Sequence, residues 1–240
     1  MKNMRRADFG AVVFALCFPT LITLVYFVWL ATSRPSLQQT AYTVGKILQF
    51  GFPLFWVFLV QRRRLTWKWP GTKGLAEGAT FGLIVFAAMV SLYYGWLKPN
   101  GHLAAAEVEV RAKVAGFGLS SLAMYIGLGA FYSLCHSLLE EYYWRWFVFG
   151  QLRDLIPKNR AVLISSIGFM AHHVIVLATY FGWFSLATAL FSLAVAIGGA
   201  AWAWIYQRSG SLLSVWISHL LVDAAIFTIG YDMVGTLFSS

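Results

Sequence analysis

The chain has 240 residues, of which 60% are hydrophobic and only 11% are charged. Soluble domains carry about 25% charged residues, so this composition, with a mean hydropathy of +0.70, excludes an ordinary soluble domain. The net charge of +9 does not indicate nucleic-acid binding, because basic residues of membrane proteins gather in cytoplasmic loops. We therefore predict an all-α, polytopic integral membrane protein that has the lipid bilayer as a partner and no nucleic acid.

Seven apolar segments are long enough to cross a bilayer. They lie at roughly residues 10–30, 41–60, 77–97, 119–139, 161–181, 184–206 and 212–230. A short helix within 98–116, or a break within 137–152, would make a bundle of eight. We predict a single membrane domain over 1–240, in which 1–118 carries the first three spans and 119–230 a functional core. Ala104 to Val114 is expected to form a short surface helix.

The charges of the loops predict how the protein is oriented in the membrane. Basic residues concentrate at the N-terminus and in the loops after the second, fourth and sixth spans. The positive-inside rule places these segments in the cytoplasm, so that seven spans leave the C-terminus outside. We expect a bacterial cytoplasmic membrane. Cys17 and Cys135 lie in apolar runs and are expected to be small buried residues.

Glu140 and Glu141 follow about twenty almost wholly apolar residues. A charge at the bilayer centre costs about 2.5–3.5 kcal/mol, so the pair indicates either a functional site or an ion-paired helix end at the membrane surface. On a helix, Glu141 and Arg145 share a face, whereas Glu140 points about 100° away. No proline occurs between the pair and Pro157, and we predict one long helix through the pair to about Gln151 or Leu152.

Further ionisable groups lie in two later spans. His172 and His173 are in the fifth span, and His219 and Asp223 share a helix face in the seventh. A lone membrane histidine is more often a packing residue, but three helices that each offer His or Glu at similar depth indicate a site between helices four, five and seven. His136, one turn before the glutamate pair, is expected either to support the site or to pack, and His172 to be structural.

Two schemes suit these residues. In the first, Glu140 acts with His173 as a general base on a water, while His219 and Asp223 face the oxyanion of a tetrahedral intermediate. In the second, the same four residues coordinate a divalent metal such as zinc, which activates the water. No His-Glu-x-x-His helix is present, so the metal scheme lacks its strongest signature. Both schemes predict hydrolysis of a peptide bond near or within the membrane, the first without any cofactor.

Three motifs carry a family resemblance. Glu-Glu-x-x-x-Arg at 140–145, Phe-x-x-x-His at 169–173 and His-x-x-x-Asp at 219–223 resemble those of the CAAX-protease and bacteriocin-processing (CPBP) family, the superfamily of the type II CAAX prenyl endopeptidases. The resemblance covers roughly 119–230. It implies an all-helical fold, usually of eight spans, and an intramembrane glutamic endopeptidase.

The resemblance also implies roles for single residues. Glu140 would be the catalytic base, with His173 as its partner on the water. His219 and Asp223 would form the oxyanion site. Supporting roles are implied for three further residues, which are Glu141, Arg145 and Phe169.

One position departs from the family pattern. The well-studied prenyl endopeptidases carry Asn at the position of Asp223, and an ionised Asp cannot donate a hydrogen bond to an oxyanion. Either Asp223 is protonated, or it orients His219, or the site holds a metal.

We expect a membrane-associated peptide or protein substrate, with or without a lipid group. Two rival classes are a non-catalytic membrane protein of the same scaffold, such as an immunity or assembly factor, and an ion or proton transporter. The ionisable groups gather in the cytoplasmic half and middle of the predicted bundle, which disfavours a transport pathway through both halves of the membrane.

Overall fold

The computed structural model describes residues 2–64 and 68–238, with side chains from residue 6 onward. Helices dominate, and no strand occurs among the described residues. Among the described residues, seven helices are long and apolar enough to cross a membrane, which confirms the predicted fold class and span count. In chain order, with the short α4 included, the helices are α1 (Arg6–Trp29), α2 (Pro35–Val60), α3 (Thr72–Leu97), α4 (Ala104–Gly116), α5 (Leu122–Leu155), α6 (Lys158–Phe181), α7 (Leu186–Ser209) and α8 (Leu212–Phe238).

Local sequence explains where several helices begin and end. Pro35 occupies the first turn of α2, where its missing N–H costs nothing. The side chains of Ser121 and Ser211 accept backbone N–H groups at the starts of α5 and α8, as N-caps do. Gly182 ends α6 with a φ of +87°, and Gly210 lies between α7 and α8 with a φ of +66°. Both angles favour glycine.

Helix α5 has 34 residues. The prediction of one long helix through the glutamate pair is therefore confirmed, as is the short helix that begins at Ala104. Two stretches of α5 are π-helical, Phe131–His136 and Tyr142–Phe149, and they enclose the α-helical Ser137–Glu141. π-Helical turns are rare and occur frequently at functional sites. The apolar pattern did not predict them.

The chain divides into two compact units, and the division falls within α5. The first unit comprises residues 1–68 and 142–207. Within it, the Tyr143 hydroxyl donates to the backbone carbonyl of Ala15 at 2.7 Å, which ties α5 to α1. Helix α6 lies close to both, since a Cβ at Gly168 would be 2.6 Å from Leu16 and 3.0 Å from Trp144.

The second unit comprises residues 69–141 and 208–240. Glycines let α3 and α8 approach each other closely, as small residues do between membrane helices. A Cβ at Gly78 would overlap the carbonyl oxygen of Ser214, and a Cβ at Gly82 would lie 2.9 Å from the Cα of Ser218. The backbones of α3 and α8 are therefore in close contact, and the second contact, at Ser218, lies one residue before His219.

A polar cluster holds the C-terminal end of α8. Asp232 accepts hydrogen bonds from the Tyr93 hydroxyl at 2.7 Å and from the Lys98 ammonium at 2.5 Å. The hydrogen bond to Asp232 raises the pKa of Lys98 above its ordinary value. Arg111 of α4 bonds Thr236 at 2.8 Å, so the loop after α3 and the short helix are both attached to α8.

Gly78→Ala is expected to destabilise the protein by about 1–3 kcal/mol, the usual effect of inserting atoms into a closely packed contact. The added methyl group would push α3 away from the backbone of α8. Thermal unfolding in detergent measures the effect. Gly95→Ala is the matched control on the same helix, because a Cβ there meets nothing within 4 Å. Equal melting temperatures of the two variants would contradict the close packing of α3 on α8.

Candidate active site

The glutamate pair of the second unit is buried. Glu140 is 4% exposed and Glu141 is fully buried. Both lie on the α-helical turn of α5 that the two π-helical stretches enclose. Helix α8 packs against this turn and carries His219, which is 4% exposed. An ionisable group so far from solvent requires polar partners, and the glutamates and the histidine provide them for one another.

The imidazole of His219 is the centre of this cluster. Its Nδ1 lies 2.7 Å from Oε1 of Glu141. Its Nε2 lies 3.7 Å from Oε2 of Glu140 and 3.7 Å from Oδ1 of Asp223. Opposite an ionised carboxylate, which only accepts hydrogen bonds, Nδ1 is the protonated nitrogen and its N–H donates a hydrogen bond to Glu141. Nε2 is therefore the nitrogen that faces Glu140 and Asp223.

Glu141 thus fixes the orientation of the histidine. The sequence suggested Asp223 for this role as one alternative, because it shares a helix face with His219. The contact to Asp223 is 1.0 Å longer than the bond to Glu141 and lies beyond hydrogen-bond distance. Glu141 thus lies where the supporting role implied for it requires, and that role stays a prediction.

His136 lies on the other side of Glu140. Its Nε2 is 3.5 Å from Oε1 of Glu140, and its ring is 5.0 Å from that of Tyr132. Tyr132 in turn packs on Phe227 of α8 at 5.7 Å. The sequence left His136 open between a supporting and a packing role, and it makes both kinds of contact. In space, imidazoles and carboxylates therefore alternate in the order His136, Glu140, His219 and Glu141.

The second motif lies in the first unit, on α6. Nδ1 of His173 is 2.9 Å from the backbone carbonyl of Phe169. A carbonyl only accepts, so Nδ1 is the protonated nitrogen and Nε2 carries the lone pair. His172 is buried, and its ring stacks on Trp144 with a centroid separation of 5.7 Å and an interplanar angle of 3°. This stacking is of the kind that the structural role expected for His172 requires.

Arg145 is 2% exposed and lies between two aromatic rings. Its guanidinium carbon is 4.6 Å from the ring centroid of Phe169 and 5.0 Å from that of Trp202. Its Nη2 donates to the carbonyl of Gly199 at 3.4 Å. A planar cation stacks on rings in a way that an ammonium does not. Trp202 and Gly199 of α7 gave no signal in the sequence, since an aromatic and a glycine in an apolar span are unremarkable.

Arg145→Lys is expected to destabilise the protein by about 1–3 kcal/mol, because a lysine keeps the buried charge and loses the stacking on Phe169. Arg153→Lys is the matched control. Its guanidinium lies over Phe149 at 5.9 Å and over Tyr206 at 5.8 Å, but the residue is exposed, so its change should be within about 0.5 kcal/mol. Thermal unfolding compares them, and equal losses would argue against the buried stack.

Each predicted site residue is thus placed within a unit. The second unit brings together Glu140, Glu141, His219 and Asp223, and the first brings together Arg145, Phe169 and His173. Metal binding by Glu140, His173, His219 and Asp223 stays a prediction, and so does the scheme without a cofactor.

Helices long enough to cross a membrane, together with a buried glutamate–histidine cluster, define a class of membrane protein that has an ionisable site between its helices. The sequence profile described as "type II CAAX prenyl endopeptidase Rce1-like" matches residues 122–225, somewhat less than half of the chain, and this range includes all three motifs. Searches of curated proteins and of solved structures found no match. The matched region is similar to the Rce1-like family, which confirms the resemblance read from the motifs. That family is described as one of CAAX-type endopeptidases, and seven helices among the described residues are long and apolar enough to cross a lipid bilayer.

Proposed function

We propose that the protein is an intramembrane glutamic endopeptidase, which hydrolyses a peptide bond of a membrane-associated or lipidated substrate with a water activated by Glu140. The observation that supports this most is the 2.7 Å hydrogen bond between His219 and Glu141. It is buried, and it turns Nε2 of His219 towards the carboxylate of Glu140. A base and an oriented histidine side by side are the parts that hydrolysis of an amide needs.

In the first step, the carboxylate of Glu140 takes a proton from water as the hydroxyl attacks the scissile carbonyl. A general base must reach the proton directly or through one water. From the family resemblance, His173 is the second group on this water. Its protonated Nδ1 is bonded to Phe169, so its Nε2 is suited to accept a hydrogen bond.

The carbonyl oxygen becomes negative in this step, and His219 is proposed to stabilise it. Nδ1 of the ring already donates to Glu141, so Nε2 donates to the oxyanion only when the ring is an imidazolium. Asp223 lies 3.7 Å from the same nitrogen and contributes as a donor if it is protonated. When the intermediate collapses, the C–N bond breaks, and Glu140 returns its proton to the leaving amine.

The test is cleavage of quenched peptides by the purified protein in detergent. One library is unmodified and a second carries a prenylated cysteine, each assayed with and without a chelator. Glu140→Gln protein is the matched control. Cleavage by the wild type that survives the chelator and disappears in the variant supports the proposal, and products identified by mass spectrometry give the substrate class.

The rival hypotheses predict different results in the same assay. Loss of wild-type cleavage in the chelator would favour the metal scheme. Equal cleavage by both proteins would contradict Glu140 as the base, and a non-catalytic scaffold predicts that Glu140→Gln leaves the cellular phenotype intact.

A further inference from the structure

The carboxylate of Glu140 lies between two imidazoles, one near each oxygen. Oε1 lies 3.5 Å from Nε2 of His136, and Oε2 lies 3.7 Å from Nε2 of His219. The histidines come from different helices, α5 and α8. The carboxylate therefore faces one imidazole on each side, and the mechanism proposed above gives no role to the one on the His136 side.

Local structure directs His136 towards the glutamate. It is the last residue of the π-helical stretch Phe131–His136, one turn before Glu140. Tyr132 packs on its ring at 5.0 Å. The hydroxyl of Ser137, the next residue, bonds the carbonyl of Ser133 at 2.5 Å, which stabilises the passage from the π-helical to the α-helical turn. The His136 ring is therefore held in place by residues of its own helix.

We propose that His136 is a positioning residue for the reaction, whose Nε2–H holds the carboxylate of Glu140 in the orientation that a general base needs. The inference rests on the proposed function. A glutamate has three rotatable side-chain bonds, and a base that is free to turn spends little time aligned with its water. Contacts near 3.5 Å in a site without substrate commonly shorten in the reacting complex.

Two substitutions separate the hydrogen bond from packing. His136→Phe keeps an aromatic ring for Tyr132 and removes the N–H, whereas His136→Gln keeps an amide N–H and removes the ring. We expect His136→Phe to lower kcat by about 10- to 100-fold with KM unchanged, because small misplacements of a catalytic group cost about that much. His136→Gln should keep kcat within about threefold of the wild type.

The readouts are kcat, KM and the melting temperature of each variant on a peptide that the wild type cleaves. Wild-type kcat in His136→Phe would overturn the inference. So would a large loss in His136→Gln at an unchanged melting temperature, whatever the Phe variant does, because the N–H alone would then not suffice. If the Phe variant does not fold, His136→Leu replaces it with the same expectation. Glu140→Gln is measured beside them, and full activity there would refute the proposed function itself.

Discussion

Glu140→Gln is expected to lower kcat for peptide cleavage by about 10³-fold or more, within the range that a positioned general base contributes. Glutamine has the shape of glutamate and hydrogen-bonds to the same neighbours, but its amide does not take a proton from water. The fold should persist, with a melting temperature near that of the wild type. Single-turnover kinetics, with enzyme in excess over peptide, measure the loss without interference from product release.

Glu77→Gln is the matched control for this change. Glu77 is on α3 of the second unit and pairs with Arg208 at 3.1 Å, with its side chain 25% exposed. Removing its charge should leave kcat unchanged, because a partly exposed ion pair contributes little. A Glu140→Gln protein that cleaves at the wild-type rate would show that this carboxylate is not the base.

Glu141→Gln is expected to lower kcat by about 10²- to 10⁴-fold with little change in KM. The residue does not touch the water in our scheme, and it acts through the 2.7 Å bond to His219. Neutralising the carboxylate that holds a catalytic imidazole removes the preference for the productive tautomer and for the imidazolium. The loss of about 10⁴-fold after Asp-to-Asn exchange in a serine protease triad is the precedent.

The tautomer itself is the second readout for Glu141. Nitrogen NMR of histidine-labelled protein distinguishes a ring that is protonated at Nδ1 from one protonated at Nε2. The wild type should show His219 protonated at Nδ1, and the variant should show a changed population. Glu107→Gln, which removes a helix-surface pair with Arg111, is the control. An unchanged His219 signal together with a reduced kcat would assign Glu141 a different role.

The sequence predicted the spans and the long α5 because these depend on local features. Apolar segments of about twenty residues are unambiguous in length, and α5 runs to Leu155, just before Pro157. The motif residues were found for a related reason, since an ionisable group in an apolar span is conspicuous. Neither feature requires knowledge of how the helices pack.

The rotation of each helix is harder to predict in a membrane, because both the lipid and the protein interior are apolar. Cys17 and Cys135 were expected to be buried and are exposed on the protein surface; that prediction was wrong. The π-helical turns of α5 add to the difficulty, since they shift the helix face of every later residue. A helical repeat of 3.6 residues per turn therefore predicts the helix faces of α5 correctly only in its α-helical parts.

The partner of His219 shows the same limit at the site. The sequence offered Asp223, four residues away on the same helix, as one of several alternatives. The shortest contact comes instead from Glu141 on α5, and tertiary packing decides it. Gly82 allows α8 to approach α3 closely at Ser218. This contact fixes the position of the neighbouring His219 relative to α5. The orientation of the N-terminus towards the cytoplasm stays a prediction from the loop charges.

The measurement that tests the central claim most directly is a single turnover in oxygen-18-labelled water. If Glu140 activates a water that attacks the peptide, the new carboxyl group of the product carries one labelled oxygen on the first turnover, and Glu140 stays unlabelled. If Glu140 attacks the peptide itself, the amine leaves and a mixed anhydride forms. Water that opens this anhydride at the Glu140 carbonyl leaves an enzyme oxygen in the first product and the label in the Glu140 side chain. Mass spectrometry of the product and of the peptide containing Glu140 reads both outcomes. The first result is the one predicted here, and the second would contradict the general-base mechanism.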